Sequence, residues 1–260
     1  DRPVPQGLGS DTGNGIGALT MRMDGKTIVI TGAASGIGQA TAIKAMSEGA
    51  RVVGVDQNSD GMPDGVEPIL GDVTDDDTIA RAIAAAGDIH GLGTIAGISA
   101  SGNAIDAIDP DLWDQVFAVN VKATWRWMIA VLPAMRAQGG GSIVAIASQL
   151  AFGGGRMNAA YIASKGAIVS LVKTAAFELA PDNIRVNAVA PGATDTPMMR
   201  RSQSRAADPD AAREYARKRH ALGRFGKPEE IANGITHLLS DEASFTTGSV
   251  LTIDGGWRAA

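Results

Sequence analysis

Tyr161 and Lys165 stand four residues apart in the stretch Tyr-Ile-Ala-Ser-Lys. On a helix that spacing puts both side chains on one face, about one turn apart. A phenol with an ordinary pKa near 10 is only about 1% ionised at pH 8, so it exchanges protons poorly with an alcohol. A neighbouring ammonium favours the phenolate, and lowering the pKa by ~2 units takes ~2.7 kcal/mol of differential stabilisation. Alone, such a pair also fits an exposed helix face. Ser148 adds a third group, because it closes the apolar run Gly-Ser-Ile-Val-Ala-Ile-Ala-Ser at 141–148. The C-terminal ends of such strands are where open α/β sheets bind ligands.

Glycine supplies the second chemical signal. Two stretches, Thr-Gly-Asn-Gly-Ile-Gly at 12–17 and Thr-Gly-Ala-Ala-Ser-Gly-Ile-Gly at 31–38, have the look of phosphate cradles. Such a turn works only where a buried strand delivers the chain, backbone N–H groups approach the pyrophosphate, and a helix N-terminus follows. The second stretch has all three. Residues 26–31 form a short β-branched run, the pattern of a parallel strand buried on both faces. Ile37, Ala40, Ile43 and Ala45/Met46 then recur at helical spacing, and Gly49 is placed to cap the helix. Residues 51–56 read as another buried strand, and the βαβ unit ends in Asp56, about 20 residues past the turn, where ribose hydroxyls are bound. The first stretch follows Pro3, Pro5, Gly7 and Gly9, so no strand feeds it. Residues 1–22 are expected to be a flexible extension and 23–260 a single dinucleotide-binding domain, with Met21 or Met23 near its natural start.

Asp56 also bears on which dinucleotide is bound. A 2′-phosphate about 4 Å from its carboxylate would be repelled by up to ~4 kcal/mol per charge pair at an effective dielectric near 20. Neither Ala33, Ala34 and Ser35 in the turn nor Gln57 after the strand supplies a compensating cation. NAD is the expected cofactor, and its cationic nicotinamide ring would add to the pull on the Tyr161 phenol.

The rest of the chain continues the alternation that must position these groups. Strands are expected at 66–70, 92–99, 141–148, 184–191 and 248–256. Helices are expected after Thr74, over 109–138 (with Trp113, Val116, Phe117, Val121, Trp125 and Met128 apolar), over 158–180 and over 228–240, the last opened by Pro228 and two acids. This order predicts an α/β fold: a single-domain, Rossmann-type, doubly wound seven-stranded parallel sheet with helices on both faces. Composition agrees with a globular core, at 45% hydrophobic and 20% charged residues. A net charge of −5 argues against nucleic acid as a partner. The absence of cysteine excludes thiolate chemistry, and three scattered histidines give no metal-ligand spacing, so no metal is expected. No apolar run is long enough to span a bilayer, and the expected location is cytoplasmic.

Taken together these motifs resemble the short-chain dehydrogenase/reductase family over residues 23–257. The cofactor motif is matched at Thr31, Gly32, Gly36, Ile37 and Gly38, with Ser35 in the same turn. Gly-Asp-Val carries Asp72 and Val73, where the family meets adenine. Phe-Ala-Val-Asn-Val carries Asn120, which with Ser148, Tyr161 and Lys165 resembles the family's catalytic tetrad. Pro191, Gly192, Thr194 and Thr196 match the segment beside the nicotinamide amide, and Ala96 and Gly97 close strand four. The resemblance implies Tyr161 as general acid/base, Ser148 as hydrogen-bond partner of the substrate oxygen, Lys165 holding the ribose and lowering the tyrosine pKa, and Asn120 anchoring a proton-relaying water. Two departures stand out. Thr94-Ile95-Ala96-Gly97 replaces the family's Asn-Asn-Ala-Gly, so the sheet must be braced differently, and the run from Asp56 to Asp72 leaves little room for the usual helix.

Ser99, Gln149, Leu150, Met157, Asn158 and Met198, with Met199, are the expected substrate-facing residues, the methionines forming an adaptable apolar wall. The arginine-rich segment 198–224 fits either a lid that attracts an anion or a solvated helix pair. The helix bearing Tyr161 is apolar around much of its circumference, as in a homotetramer or homodimer, or it is covered by a neighbouring helix of the same chain. The expected function is NAD-dependent hydride transfer with a secondary alcohol or ketone. The alternatives are a 3-oxoacyl thioester reductase of the same family, expected to prefer NADPH, and a non-catalytic NAD-sensing or scaffold protein.

Overall fold

The computed structural model describes residues 21–259. The first glycine-rich stretch and nearly all of the expected extension lie outside them. Arg22, which the sequence assigns to the extension, pairs with Glu48 and Glu242, and Met23 is fully buried.

Seven strands form one sheet: β1 (Thr27–Thr31), β2 (Arg51–Asp56), β3 (Glu67–Leu70), β4 (Gly91–Thr94), β5 (Gly141–Ile146), β6 (Ile184–Pro191) and β7 (Val250–Ile253). Their order is β3-β2-β1-β4-β5-β6-β7, and every pairing is parallel. The order reverses between β1 and β4, so the carboxyl ends of these strands open a crevice at the switch point. Helices α1 (Gly36–Ser47), α2 (Asp76–Ala86), α3 (Pro110–Phe117), α4 (Thr124–Ala137), α5 (Ala159–Leu179), α6 (Pro197–Gln203), α7 (Pro209–Lys218) and α8 (Pro228–Leu239) complete the chain. One face of the sheet packs against α2, α4 and α5 through residues such as Val29, Trp127, Ile143 and Ile168. The other packs against α1 and α8 through Ile28, Ile30, Val144 and Ile235. The sheet is thus covered on both faces, as expected from strands that are apolar throughout.

Several expected elements differ in detail: the last strand spans Val250–Ile253 rather than 248–256, and the fifth ends at Ile146 rather than 148. Strand four ends at Thr94 rather than 99, because the following N–H groups leave the ladder for side chains. The long helix expected at 109–138 is divided by a π-helical segment at Ala118–Ala123. Its expected apolar stripe also misplaces two tryptophans: Trp113 and Trp125 are exposed, and Trp127 is the buried one. Steps of four residues drift by about 40° each on a helix of 3.6 residues per turn, so a stripe read that way leaves the core face within three steps. Ile43 of α1 is likewise half exposed, with Ala42 and Ala45 taking the buried positions. Between β2 and β3 no helix forms, in keeping with the short run there. The loop instead folds back on the glycine turn, with Gln39 Nε2 donating to Gly61 O at 2.6 Å.

Candidate active site

The crevice is a cleft of about 700 Å³. At one end lies the glycine turn between β1 and α1. Gly32 and Gly36 adopt φ +74° and +55°, the left-handed region that favours glycine. A Cβ on Gly38 would stand 2.0 Å from Gly32 O, and one on Gly32 would stand 3.0 Å from Ala96, so the turn closes only without side chains. Asp56, at the end of β2, accepts from Ala34 N at 3.0 Å and from Asn58 N at 3.3 Å, which locks the turn against the strand. Asp72 accepts from Thr74 N and Oγ1 at 2.7 and 2.6 Å and from Gln57 Nε2 at 2.5 Å. Burial works to raise its pKa, but these hydrogen bonds prevail and hold it below the ordinary carboxylate value. Ser35, Ile37, Gln57 and Val73 line the same end, and so do Asn58 and Asp60, which the sequence reading did not single out.

The floor answers how the sheet is braced without the usual asparagines. Thr31 Oγ1 accepts from Ile95 N at 3.0 Å and Ala96 N at 3.1 Å. One buried hydroxyl at the end of β1 thereby turns the chain out of β4. Asn120 takes the next step: its Oδ1 accepts from Ile98 N at 2.9 Å, and its Nδ2 donates to Ile98 O and to Ser164 Oγ, both at 3.0 Å. This side chain, presented by the π-helical segment, ties the β4 loop to α5. Such segments recur at functional sites because they re-aim a side chain that a regular turn would misdirect. Asn120 does not line the cleft; its amide lies behind Gly97, which does. Thr94, the other residue replacing an asparagine, keeps its hydroxyl buried with no partner among the described residues.

At the centre, β5 delivers Ser148 and α5 delivers Tyr161 and Lys165. Ser148 Oγ accepts from Leu150 N at 3.2 Å, which caps the short turn that follows it. Lys165 Nζ donates to Ile146 O at 2.9 Å and lies 5.6 Å from the centroid of the Tyr161 ring. Burial lowers the Lys165 pKa to about 7. Burial also pushes the Tyr161 phenol above its ordinary value, and the hydrogen bond with Ser148 acts against that. The downward shift expected for Tyr161 is therefore not produced by the chain's own groups, since the site that would host the helpful ammonium also disfavours its charge.

The far end is walled by the segments after β6 and β7. Pro191, Gly192, Thr194 and Thr196 all line it. Gly192 has no room for a Cβ, which would meet Asp254 Cα at 2.7 Å, and Thr196 caps α6 by accepting from Met199 N at 3.2 Å. Ser99, Gln149, Leu150, Asn158, Met198 and Met199 also face the cleft. Met157 does not: it is 52% exposed, held at φ +57°, and lies off the cleft wall. The sequence reading missed Arg201, Tyr215, Arg219, His220 and Trp257, which line the same end. The arginine-rich run was the available signal; nothing local marked Trp257.

The match to known proteins now has a geometry to rest on. Residues 32–258 fit the family model described as enoyl-(acyl carrier protein) reductase. The 3-oxoacyl-[acyl-carrier-protein] reductase of Thermotoga maritima is 42% identical over 250 residues, covering 91% of this chain and 99% of that protein. Dehydrogenase/reductase SDR family member 6 of Danio rerio is 36% identical over 244 residues, covering 91% of this chain and 99% of that protein. The chain belongs to the short-chain dehydrogenase/reductase family. A solved structure from Beutenbergia cavernae, provisionally assigned as an NAD(P)-dependent gluconate 5-dehydrogenase and holding NADP at low occupancy, superposes with a TM-score of 0.85 at 35% identity, covering 93% of this chain and all of that one. The family is one of oxidoreductases that use nicotinamide cofactors, and the glycine cradle described above fits that group. No described helix is long and apolar enough to cross a membrane.

Proposed function

We propose that the chain is an NAD-dependent oxidoreductase that interconverts a secondary alcohol and a ketone. The observation that carries this reading is the convergence of Ser148, Tyr161 and Lys165 on one cleft whose other end is a glycine cradle closed by Asp56. In the direction of oxidation, alcohol and NAD⁺ give ketone, NADH and a proton. The bound nicotinamide supplies the hydride acceptor or donor and, when oxidised, positive charge. Tyr161 Oη, as the phenolate that the oxidised nicotinamide's positive charge would favour, takes the hydroxyl proton in oxidation, and as the phenol it returns that proton in reduction. Ser148 Oγ hydrogen-bonds the substrate oxygen as its charge changes. Lys165 fixes the phenol's surroundings through Ile146 O and would meet the ribose. Asn120, its side-chain amide committed to Ile98 and Ser164, holds the floor; any water it anchors for proton relay meets its remaining acceptor capacity. Gly32, Gly36 and Gly38 would cradle the pyrophosphate, Asp72 and Val73 the adenine, and Pro191 to Thr196 the nicotinamide amide.

NAD rather than NADP is supported by charge. The cations lining the cleft are Lys165, Arg201 and Arg219, all away from the adenosine end, whereas Asp56, Asp60 and Asp72 cluster there. The Beutenbergia neighbour's NADP is the counter-case for the cofactor, and the Thermotoga relative is what would favour the alternative, a 3-oxoacyl thioester reductase expected to use NADPH.

The test is Tyr161→Phe. Removing the acid/base should lower kcat by about 10²- to 10⁴-fold, while NADH affinity, followed by fluorescence, stays within about threefold. Turnover that survives the change removes Tyr161 from the chemistry; silence of the wild type on secondary alcohols, with tight NADH binding, points to the sensor reading instead.

A further inference from the structure

Segment 198–224 holds seven arginines, and the structure gives five of them a partner: Arg205 and Arg213 donate to Ser101 O at 3.5 Å and to Gln203 Oε1 at 3.3 Å. Arg200, Arg217 and Arg224 are neutralised by Asp195, Glu214 and Glu230, at 2.9, 2.6 and 2.6 Å. Arg201 and Arg219 line the cleft and have no carboxylate and no side-chain hydrogen-bond partner among the described residues. No acid lines that end of the cleft: its three carboxylates are Asp56, which ends β2, and Asp60 and Asp72, which follow β2 and β3, all on the opposite half of the sheet.

The wall that carries Arg219 is built rather than loose. Its guanidinium lies 4.6 Å from the Trp257 ring centroid and 5.8 Å from that of Tyr215, so two aromatic rings flank the cation without neutralising it. The next residue, His220, is buried. Its Nε2 accepts from Ala193 N at 3.1 Å, so Nδ1 carries the proton and donates to Ala216 O at 2.8 Å. This neutral tautomer pins the end of α7 to the loop after β6, beside Gly192. Leu222 N donates to Gly255 O at 3.1 Å, and Gly256 leaves no room for a Cβ, which would meet Ala221 Cβ at 2.8 Å. The arginine is thus held between two anchored loops at the substrate end.

We infer that the substrate is an anion: a secondary alcohol or ketone whose carboxylate, sulfonate or phosphate group is received by Arg201 and Arg219 while its carbinol carbon lies at Tyr161. This rests on the reading of the cleft as a site of alcohol–ketone exchange. Exposed guanidiniums with no carboxylate partner, at the end of the cleft that no acid lines, recognise oxyanions through charge-assisted hydrogen bonds, and they would leave a neutral analogue without that gain.

The test uses the full chain with NAD and three hydroxy acids of graded length (3-hydroxybutanoate, 4-hydroxypentanoate and 5-hydroxyhexanoate), each beside its primary amide. For at least one length the acid should exceed the amide in kcat/KM by about 10- to 100-fold. Arg201→Gln and Arg219→Gln should each lower that acid-to-amide ratio by about tenfold or more, with Arg219→Lys restoring part of it. A ratio near one at every length, or one that survives both glutamine variants, overturns the proposal. Should no compound turn over, calorimetric titration of the NADH-loaded chain decides. Acid binding that the glutamine variants abolish upholds the anion site and discards the alcohol–ketone reading. Equal binding of acid and amide, or none, discards the anion site.

Discussion

Replacing Thr31 by valine tests how this chain braces its cofactor crevice. The Thr31 hydroxyl is the acceptor for two N–H groups, Ile95 at 3.0 Å and Ala96 at 3.1 Å, and the residue is only 2% exposed. Valine keeps the volume and the β-branched shape but accepts nothing. Each buried donor left unpaired costs about 1–3 kcal/mol, and a part of that is regained because valine suits a buried strand, so a loss of about 2–4 kcal/mol is expected. For a chain of this size that corresponds to a fall in Tm of about 5–12 °C. Thr31→Ser keeps the acceptor and loses a methyl group, so it should cost only about 1 kcal/mol. Because Ala96 and Gly97 line the cleft, Thr31→Val should also weaken NADH binding, whereas Thr31→Ser should not. Urea unfolding at fixed protein concentration, with NADH titration of the same samples, reads both effects. A valine variant within about 0.5 kcal/mol of wild type, or a serine variant as unstable as the valine one, would refute the claim that the hydroxyl turns the chain out of β4.

Three further outcomes are expected. Asp56→Ala removes the carboxylate that a 2′-phosphate would face, and the NADP-to-NAD ratio of kcat/KM should rise by about 10- to 100-fold, judged from a repulsion of a few kcal/mol; an unchanged ratio sinks the assignment of Asp56 to cofactor choice. Lys165 gives a pH signature: burial lowers its pKa to about 7 from 10.5, so between those values the unfolded chain binds the extra proton and stability rises with pH. Relative to Lys165→Met, wild type should be weakest below pH 7 and recover by up to about 3 kcal/mol by pH 9.5 in denaturant unfolding; a flat difference refutes it. Finally, Phe177 on α5 is 88% exposed, with Trp125 and Ile129 of α4 about half exposed. We expect light scattering to return a dimer or tetramer mass, and a monomer at micromolar concentration would contradict a homo-oligomer.

Much of this protein is legible from the chain alone, because its strongest signals are local. A parallel strand buried on both faces must be a short apolar run, so β1, β2 and β6 are visible within one residue of their ends. The glycine turn is equally local, since its backbone angles and the missing Cβ at Gly38 are properties of a few adjacent residues. Tyr161 and Lys165 share a helix face by spacing alone. What the chain could not reveal is where hydrogen bonds and charges meet across sequence distance. The end of β4 depends on Thr31, more than 60 residues away, and the π-helical segment places Asn120 so as to reach Ile98 and Ser164. Whether an arginine in 198–224 is solvated, paired or aimed into the cleft depends on carboxylates and rings brought there by folding, Trp257 above all. The protonation balance of Tyr161 and Lys165 is likewise a property of the folded cleft, because desolvation acts only once the strands and α5 enclose them. Periodicity and turn chemistry determine the scaffold residue by residue, whereas burial and partnership, which set the chemistry, exist only in the tertiary structure.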